Sequence, residues 1–293
     1  MSKKSNPIII AEIGCNHKGD FKIAKQMIDT AARCGVDYVK FQKRNNDYLL
    51  GNNYNKPHPV PYNSYGNSYG AHRDFLEFSI KQHELLAKYC LRKKIKYSTS
   101  VWDKYSALDM IQSKIRLDFL KIPSACNLDF ELLETLFKKF KEKIHISTGM
   151  TTQNEIKKIF NFAKKFRRNK DVVFYCCSSN YPVEDHKDLC LLEINRMKKN
   201  YSKQIFDVGF SGHHIGIAPD IAAITLGANY IERHFTLNRT WKGTDHAASL
   251  EPQGLAKLVR DLNNVAAAMT FKPNRSVLLN EASQRKKLKI FRN

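Results

Sequence analysis

Two histidines close the last two apolar segments of this chain, in GFSGHH at 209–214 and IERHF at 231–235. Lysines stand inside two earlier segments, YVKFQ at 38–42 and FLKIPS at 119–124. Imidazole nitrogen is a common ligand for divalent ions, so His213 and His234 on neighbouring strands could hold one ion, with water and substrate oxygens completing its shell. Such an ion acts as a Lewis acid on a carbonyl. Mn²⁺, Zn²⁺ and Co²⁺ all suit the donor pair. His213 is the expected ligand rather than His214, because neighbouring residues of an extended segment point to opposite sides.

Lysine inside a buried strand is costly unless an anion compensates it. Lys40 and Lys121 come from separate strands and suit a ligand carrying phosphate and carboxylate groups. Glu12, in AEIGCNH, can position a hydroxyl or serve as an acid or base once burial tunes it. A structural ion pair with one of the lysines is the alternative. Thr99, Ser124, Ser147 and Ser211 close the third, fourth, fifth and seventh segments with small hydroxyls that can donate to phosphate oxygens or cap a helix. Asp245, in GTDHAAS, can reach the same face and bind sugar hydroxyls.

These side chains need a scaffold that gathers strand ends. Apolar segments at 8–13, 38–42, 96–100, 119–124, 144–148, 172–178, 208–211 and 230–235 read as strands. Amphipathic stretches at 21–34, 80–93, 104–115, 129–140, 152–166, 188–199, 218–227 and 253–269 read as the helices between and after them. Strict β-α alternation calls for right-handed crossovers and a parallel sheet, and eight pairs favour closure into a single-domain (β/α)8 TIM barrel over residues 1–272. No GxGxxG follows the first strand, which argues against a doubly wound dinucleotide fold. Residues 44–72, rich in Asn, Tyr, Gly and Pro, are too long for an ordinary connection and read as a substrate-covering loop or a disordered insertion. Residues 273–293 form a basic tail.

Composition narrows the class further. A net charge of +21 invites nucleic acid as a partner, yet the lysines are spread along the chain and no recognition module is visible. The basic field would instead attract a small anionic substrate. Seven cysteines without a CxxC pair argue against a disulfide framework or a structural zinc site. The polar start MSKKSNP and the early Glu12 fit neither a signal peptide nor a membrane span, so a soluble, cytoplasmic protein is expected.

Taken in order, IIIAEIGCNHKGD, GVDYVKFQ, KIPSACN, ISTGMTTQNEI, SSNYP, FSGHHIGIAPDIA, LGANYIERHFTL and GTDHAASLEP resemble the sialic acid synthase family from about Ile8 to Leu262. The resemblance implies a transferase that condenses phosphoenolpyruvate with an N-acylated amino sugar, N-acetylmannosamine or a related aldose, in surface-glycan biosynthesis. The products would be a nine-carbon α-keto acid and phosphate. It implies a divalent ion on His213 and His234, foremost Mn²⁺ with Co²⁺, Mg²⁺ or Zn²⁺ as alternatives, and Glu12 near the reacting centre. It also implies that Lys40, Lys121, Thr99, Ser147 and Ser211 hold phosphate and carboxylate, while Tyr181 and Asp245 lie around the acceptor or enolpyruvate.

Three departures stand out. Many members read Ser-Asp-His-Thr where this chain has Ser211, Gly212, His213 and His214; Cys126 replaces an acidic residue, and Ser179 an asparagine. Legionaminate-type, pseudaminate-type and phosphorylated acceptors therefore stay open. Many members also append an antifreeze-like domain that bridges a dimer and lends an arginine to the partner subunit's site. Here the 44–72 loop and the basic tail are expected to supply that lid, or the site closes differently; a homo-oligomer is compatible with either. A metal-dependent pyruvate aldolase and a noncatalytic sugar-phosphate binding protein are the alternative functions.

Overall fold

The computed structural model describes residues 6–291, so the polar start at 1–5 and the final two residues of the tail lie outside the described residues. Eight parallel strands, β1 (Ile8–Gly14), β2 (Tyr38–Lys43), β3 (Lys96–Val101), β4 (Phe119–Ile122), β5 (Lys143–Ser147), β6 (Val172–Cys177), β7 (Asp207–Gly212) and β8 (Tyr230–His234), pair in sequence order. β8 returns to β1, with Glu12 opposite His234, and the barrel closes. The expected (β/α)8 TIM barrel is the observed fold.

Helix α1 (Phe21–Cys34) follows β1, while α2 (Asn46–Leu50) and α3 (Tyr69–Leu76) lie in the long connection after β2. Around the barrel follow α4 (Ile80–Arg92), α5 (Lys104–Gln112), α6 (Phe130–Lys139), α7 (Gln153–Lys165), α8 (Glu193–Tyr201), α9 (Ala218–Thr225) and α10 (Pro252–Ala268), with a short exposed α11 (Ala282–Leu288) in the tail. Local chemistry fixes their ends. Asp20 accepts from the Lys22 and Ile23 N–H groups to start α1, and Gly35 stops it at φ 82, where a Cβ would be strained. Thr152 and Glu155 form a capping box on α7. Among the described residues no helix is long and apolar enough to cross a membrane.

Two of the boundaries that differ from the sequence reading have a clear local cause. β4 ends at Ile122 rather than reaching Ser124, because Pro123 has no N–H to continue the ladder, and Ser124 opens a 3-10 turn. The helix expected from 188 starts at Glu193, after Cys190 adopts a left-handed conformation at φ 47.

Alternation along the strands divides the molecule into two cores. Outward residues such as Ile9, Ala11, Val39, Phe41, Leu120, Ile122 and Ile144 pack under the helices in one continuous cluster. Inward residues Ile10, Tyr38, Phe119, Val173, Tyr175 and Tyr230 form a separate plug in the barrel. Gly209 makes room for that plug, since a Cβ there would lie 2.6 Å from the Tyr175 ring. His145 stacks on Phe119 at 3.8 Å and meets the Tyr175 hydroxyl at 2.9 Å, completing a floor. Further along the same strands the inward positions turn polar.

The 44–72 segment is structured rather than a disordered insertion. Asn46 Nδ2 donates to Asp74 Oδ1 at 2.7 Å, and the Tyr69 and Gly70 N–H groups donate to the Lys56 and Tyr54 carbonyls at 2.7 and 2.8 Å. Its tip crosses to the loop after β8: the Tyr65 hydroxyl donates to the Lys242 carbonyl and Gly243 N–H to Asn63 Oδ1 at 3.4 Å.

Candidate active site

Polar side chains at the C-terminal ends of the strands enclose a cavity of about 310 Å³. Glu12, Lys40, Lys121, Ser124, Ser147, Tyr181, Ser211, His213, His234 and Asp245 all line it. Thr99 does not, which corrects its expected place among the phosphate-binding hydroxyls. In the β2–β3 ladder Thr99 lies opposite Phe41 and shares its outward face, fully buried beneath the helices, whereas Ser100 lies opposite Gln42 and faces in. Ser100 lines the cavity instead, its Oγ accepting from Lys40 Nζ at 2.7 Å.

The inward lysines have resident counter-ions. Lys40 Nζ contacts Glu12 Oε2 and lies 3.6 Å from Glu232 Oε1, while Lys121 Nζ lies 2.7 Å from that same Glu232 oxygen. Both halves of the Glu12 expectation meet here, for it pairs with Lys40 and faces the cavity. Gln42 Nε2 donates to Glu12 Oε1 at 2.8 Å, Ser211 Oγ to Glu232 Oε1 at 3.3 Å, and Lys121 sits 4.3 Å above the Tyr175 ring. Burial pushes the Glu12 carboxyl up, against the pull of Lys40. It pushes Glu232 up as well, but the Lys121 and Lys40 ammoniums outweigh it and hold that carboxyl at about 2. Burial also lowers Lys121.

Both histidines reach the cavity, their rings 5.3 Å apart. His213 Nδ1 lies 2.7 Å from the Ser178 carbonyl oxygen; donating there leaves Nε2 as a lone pair. Burial opposes protonation of His213, yet the nearby Cys177 thiol and the Ser178 carbonyl raise its pKa, and a bound cation would displace that proton. His234 is held neutral, its pKa lowered by burial to about 3. Its Nδ1 has no hydrogen-bond partner and faces Asp245 Oδ2 at 3.8 Å. An orphaned imidazole nitrogen beside an anchored one fits a divalent ion. Among the described residues no group of three or more His, Cys, Asp or Glu converges as a metal site, so the remaining ligands would be water and substrate. The Tyr181 ring covers the pair, 4.1 Å from His213 and 5.7 Å from His234.

His214 points the other way, as alternation along the extended residues after β7 requires, with Nε2 3.2 Å from Asp220 Oδ2. The glycine before His213 follows from this, since a Cβ on Gly212 would lie 2.7 Å from the His214 ring.

Glu232, Gln42, Ser100, Trp102, Arg44 and Arg73 also line the cavity and were missed in the sequence. Glu232 could have been found from its spacing, two residues before His234 and so on the same face, and Gln42 likewise from Lys40. Arg73 gives no such signal, because only the fold of the 44–72 connection brings it back to the mouth.

With this geometry established, the chain can be compared with known proteins. The NeuB family profile matches residues 27–273. The N-acetylneuraminate-9-phosphate synthase of Mus musculus is 38% identical over 264 residues, 89% of this chain and 70% of that protein. The N,N'-diacetyllegionaminic acid synthase of Campylobacter jejuni is 33% identical over 266 residues, covering 89% and 77%. A crystal structure of the N-acetylneuraminic acid synthetase of Leptospira borgpetersenii, in complex with citrate, superposes with a TM-score of 0.81 at 28% identity, covering 97% of this chain and 93% of that one.

Proposed function

This chain belongs to the NeuB family, and on that premise we propose that it condenses phosphoenolpyruvate with an N-acylated amino sugar to give a nine-carbon α-keto acid and phosphate. The observation that carries this reading is the convergence of His213, His234, Glu12, Lys40 and Lys121 on one cavity at the barrel mouth. Curated relatives named as sialic, legionaminic and pseudaminic acid synthases support the reaction class.

The overall chemistry forms one carbon–carbon bond. C3 of phosphoenolpyruvate attacks the aldehyde carbon of the open-chain sugar, whose oxygen takes up a proton and becomes a hydroxyl. Water adds at C2 and loses its protons, and the C2–O bond breaks to leave a ketone and inorganic phosphate. His213 and His234 would hold a divalent ion, Mn²⁺ foremost, which supplies Lewis acidity toward the sugar carbonyl. Glu12 opens on the cavity with its pKa raised by burial, as suits a group that exchanges protons with the sugar oxygen or the C2 water. Lys40, Lys121, Ser147 and Ser211 offer donors to the phosphate and carboxylate of the enolpyruvate. Tyr181 and Asp245 would flank the acceptor.

The test is a phosphate-release assay with both substrates. Release should require phosphoenolpyruvate, an N-acylated hexosamine and Mn²⁺ together, and mass spectrometry should find the nine-carbon acid. Equal product from pyruvate, with Lys121 trapped by borohydride, would replace this reading with an aldolase; the 2.7 Å pairing of Lys121 with Glu232 speaks against a free amine there.

A further inference from the structure

Charge is unevenly compensated within the cavity. Lys40 and Lys121 have Glu12 and Glu232, but Arg44 and Arg73 form no ion pair among the described residues. Arg44 contacts Gln42 Oε1, reaches Cys15 Sγ at 3.5 Å and lies over the Trp102 ring at 3.9 Å from its centroid. Arg73 donates to the Tyr69 hydroxyl of its own helix, from Nε at 3.2 Å and Nη2 at 2.8 Å.

The carboxylates nearby are engaged elsewhere. Asp74 accepts from Asn46 Nδ2 at 2.7 Å and from the Tyr54 hydroxyl. Glu77 pairs with Lys43 at 2.7 Å and takes the Arg44 backbone N–H at 3.0 Å. Asp245 faces His234 and accepts from Thr244 Oγ1 at 3.0 Å. Both guanidiniums line the same cavity, Arg44 from just past the end of β2 and Arg73 from α3 in the β2 connection. Two guanidiniums on one cavity, neither paired with a carboxylate and one held over an indole, offer donors to the oxygens of a phosphate.

We propose that Arg44 and Arg73 bind a phosphate monoester carried by the acceptor sugar, so that this chain prefers a phosphorylated amino sugar. The proposal rests on the reading above that the second substrate is an amino sugar. The enolpyruvate has its own donors in Lys40, Lys121 and the strand-end hydroxyls, which leaves the arginine pair for an anion at the acceptor's far end. The β2 connection then sets acceptor choice.

The experiment compares N-acetylmannosamine with its 6-phosphate, under Mn²⁺ and phosphoenolpyruvate, in the wild type and in Arg44→Gln, Arg73→Gln and the two lysine variants. The wild type should show a KM about 10- to 100-fold lower for the phosphate ester, the range expected for charge-assisted hydrogen bonds. The glutamine variants should raise that KM far more than the KM for phosphoenolpyruvate, and the lysine variants should recover part of the loss. Equal KM values for the two sugars in the wild type would overturn the proposal, as would glutamine variants that raise chiefly the KM for phosphoenolpyruvate, which would assign the pair to the donor. If neither sugar releases phosphate, the condensation reading fails by itself. Calorimetry with the 6-phosphate alone then decides: binding lost in the double glutamine variant supports the arginine site, and no binding to the wild type overturns it.

Discussion

Around the ends of β7 and β8 two groups of histidine, carboxylate and cation stand back to back, the outer one completed by Asp220 of α9. On the inner face stand His213, His234 and Glu232, with Lys40 and Lys121 opposite; on the outer face, between the barrel and its helices, stand His214, Asp220 and Arg233. The outer group neutralises itself. Arg233 Nη1 donates to Asp220 Oδ2 at 2.5 Å and to the Gly216 carbonyl at 2.8 Å, and Nη2 to the His214 carbonyl at 2.5 Å. Both groups leave buried polar atoms without a partner, His234 Nδ1 on the inner side and His214 Nδ1, Asp220 Oδ1 and Arg233 Nε on the outer, but the inner one opens on the cavity that Glu12 and both lysines share. Residue type does not separate structure from chemistry here. What separates them is one position along the chain, and whether that position faces the cavity at the barrel mouth.

Breaking each group should therefore damage a different property. The double variant His213→Ala, His234→Ala should lower Mn²⁺-dependent phosphate release by about 10³-fold or more, the worth of several kcal/mol of Lewis-acid assistance. Its urea midpoint should stay near the wild type. Arg233→Ala should do the reverse, leaving Asp220 buried without its cation at a cost of about 3–5 kcal/mol, read from denaturant unfolding. A stable but inactive Arg233→Ala protein would erase the distinction.

The same alternation explains how much was legible in the sequence. Eight strands, their order and the convergence of Glu12, both lysines and both histidines follow from apolar runs interrupted by charge, because in a parallel barrel such interruptions have few places to go. Thr99 was misplaced because a strand end read only as an end carries no face; with Lys40 as the inward reference, the β2–β3 register selects Ser98 and Ser100. Glu232 was passed over although its spacing to His234 names its face. Arg44 continues the Lys40–Gln42 spacing by two residues and could have been found the same way, whereas Arg73 was beyond reach, since a connection without periodicity gives no rule for where its side chains return.

Parity can be tested directly. Ser100→Ala removes the 2.7 Å acceptor of the Lys40 ammonium and should lower kcat/KM for phosphoenolpyruvate by about 10- to 100-fold, the value of a hydrogen bond to a charged group. Thr99→Val, one residue away under α4, should leave kcat/KM unmoved. The opposite outcome would put the β2–β3 register in error by one residue.

A further histidine sharpens the contrast between wall and cavity through pH. His83, on α4, is fully buried against β3 with Nδ1 2.5 Å from the Tyr97 hydroxyl, and burial lowers its pKa from 6.5 to about 3. The folded chain thus keeps this imidazole neutral while the unfolded chain protonates it below pH 6.5, so the unfolded state binds the extra proton and stability rises with pH. The contribution is complete above about pH 6.5 and is lost progressively as pH falls toward 3. His83→Gln keeps a polar partner for Tyr97 and cannot titrate in this range. Its unfolding free energy, measured in urea between pH 6.5 and 4, should fall less steeply than the wild type's, by up to about 1.4 kcal/mol per pH unit for one proton. Parallel slopes would mean that His83 is already protonated in the folded wall, and burial alone would then not distinguish the histidines of the wall from those at the mouth.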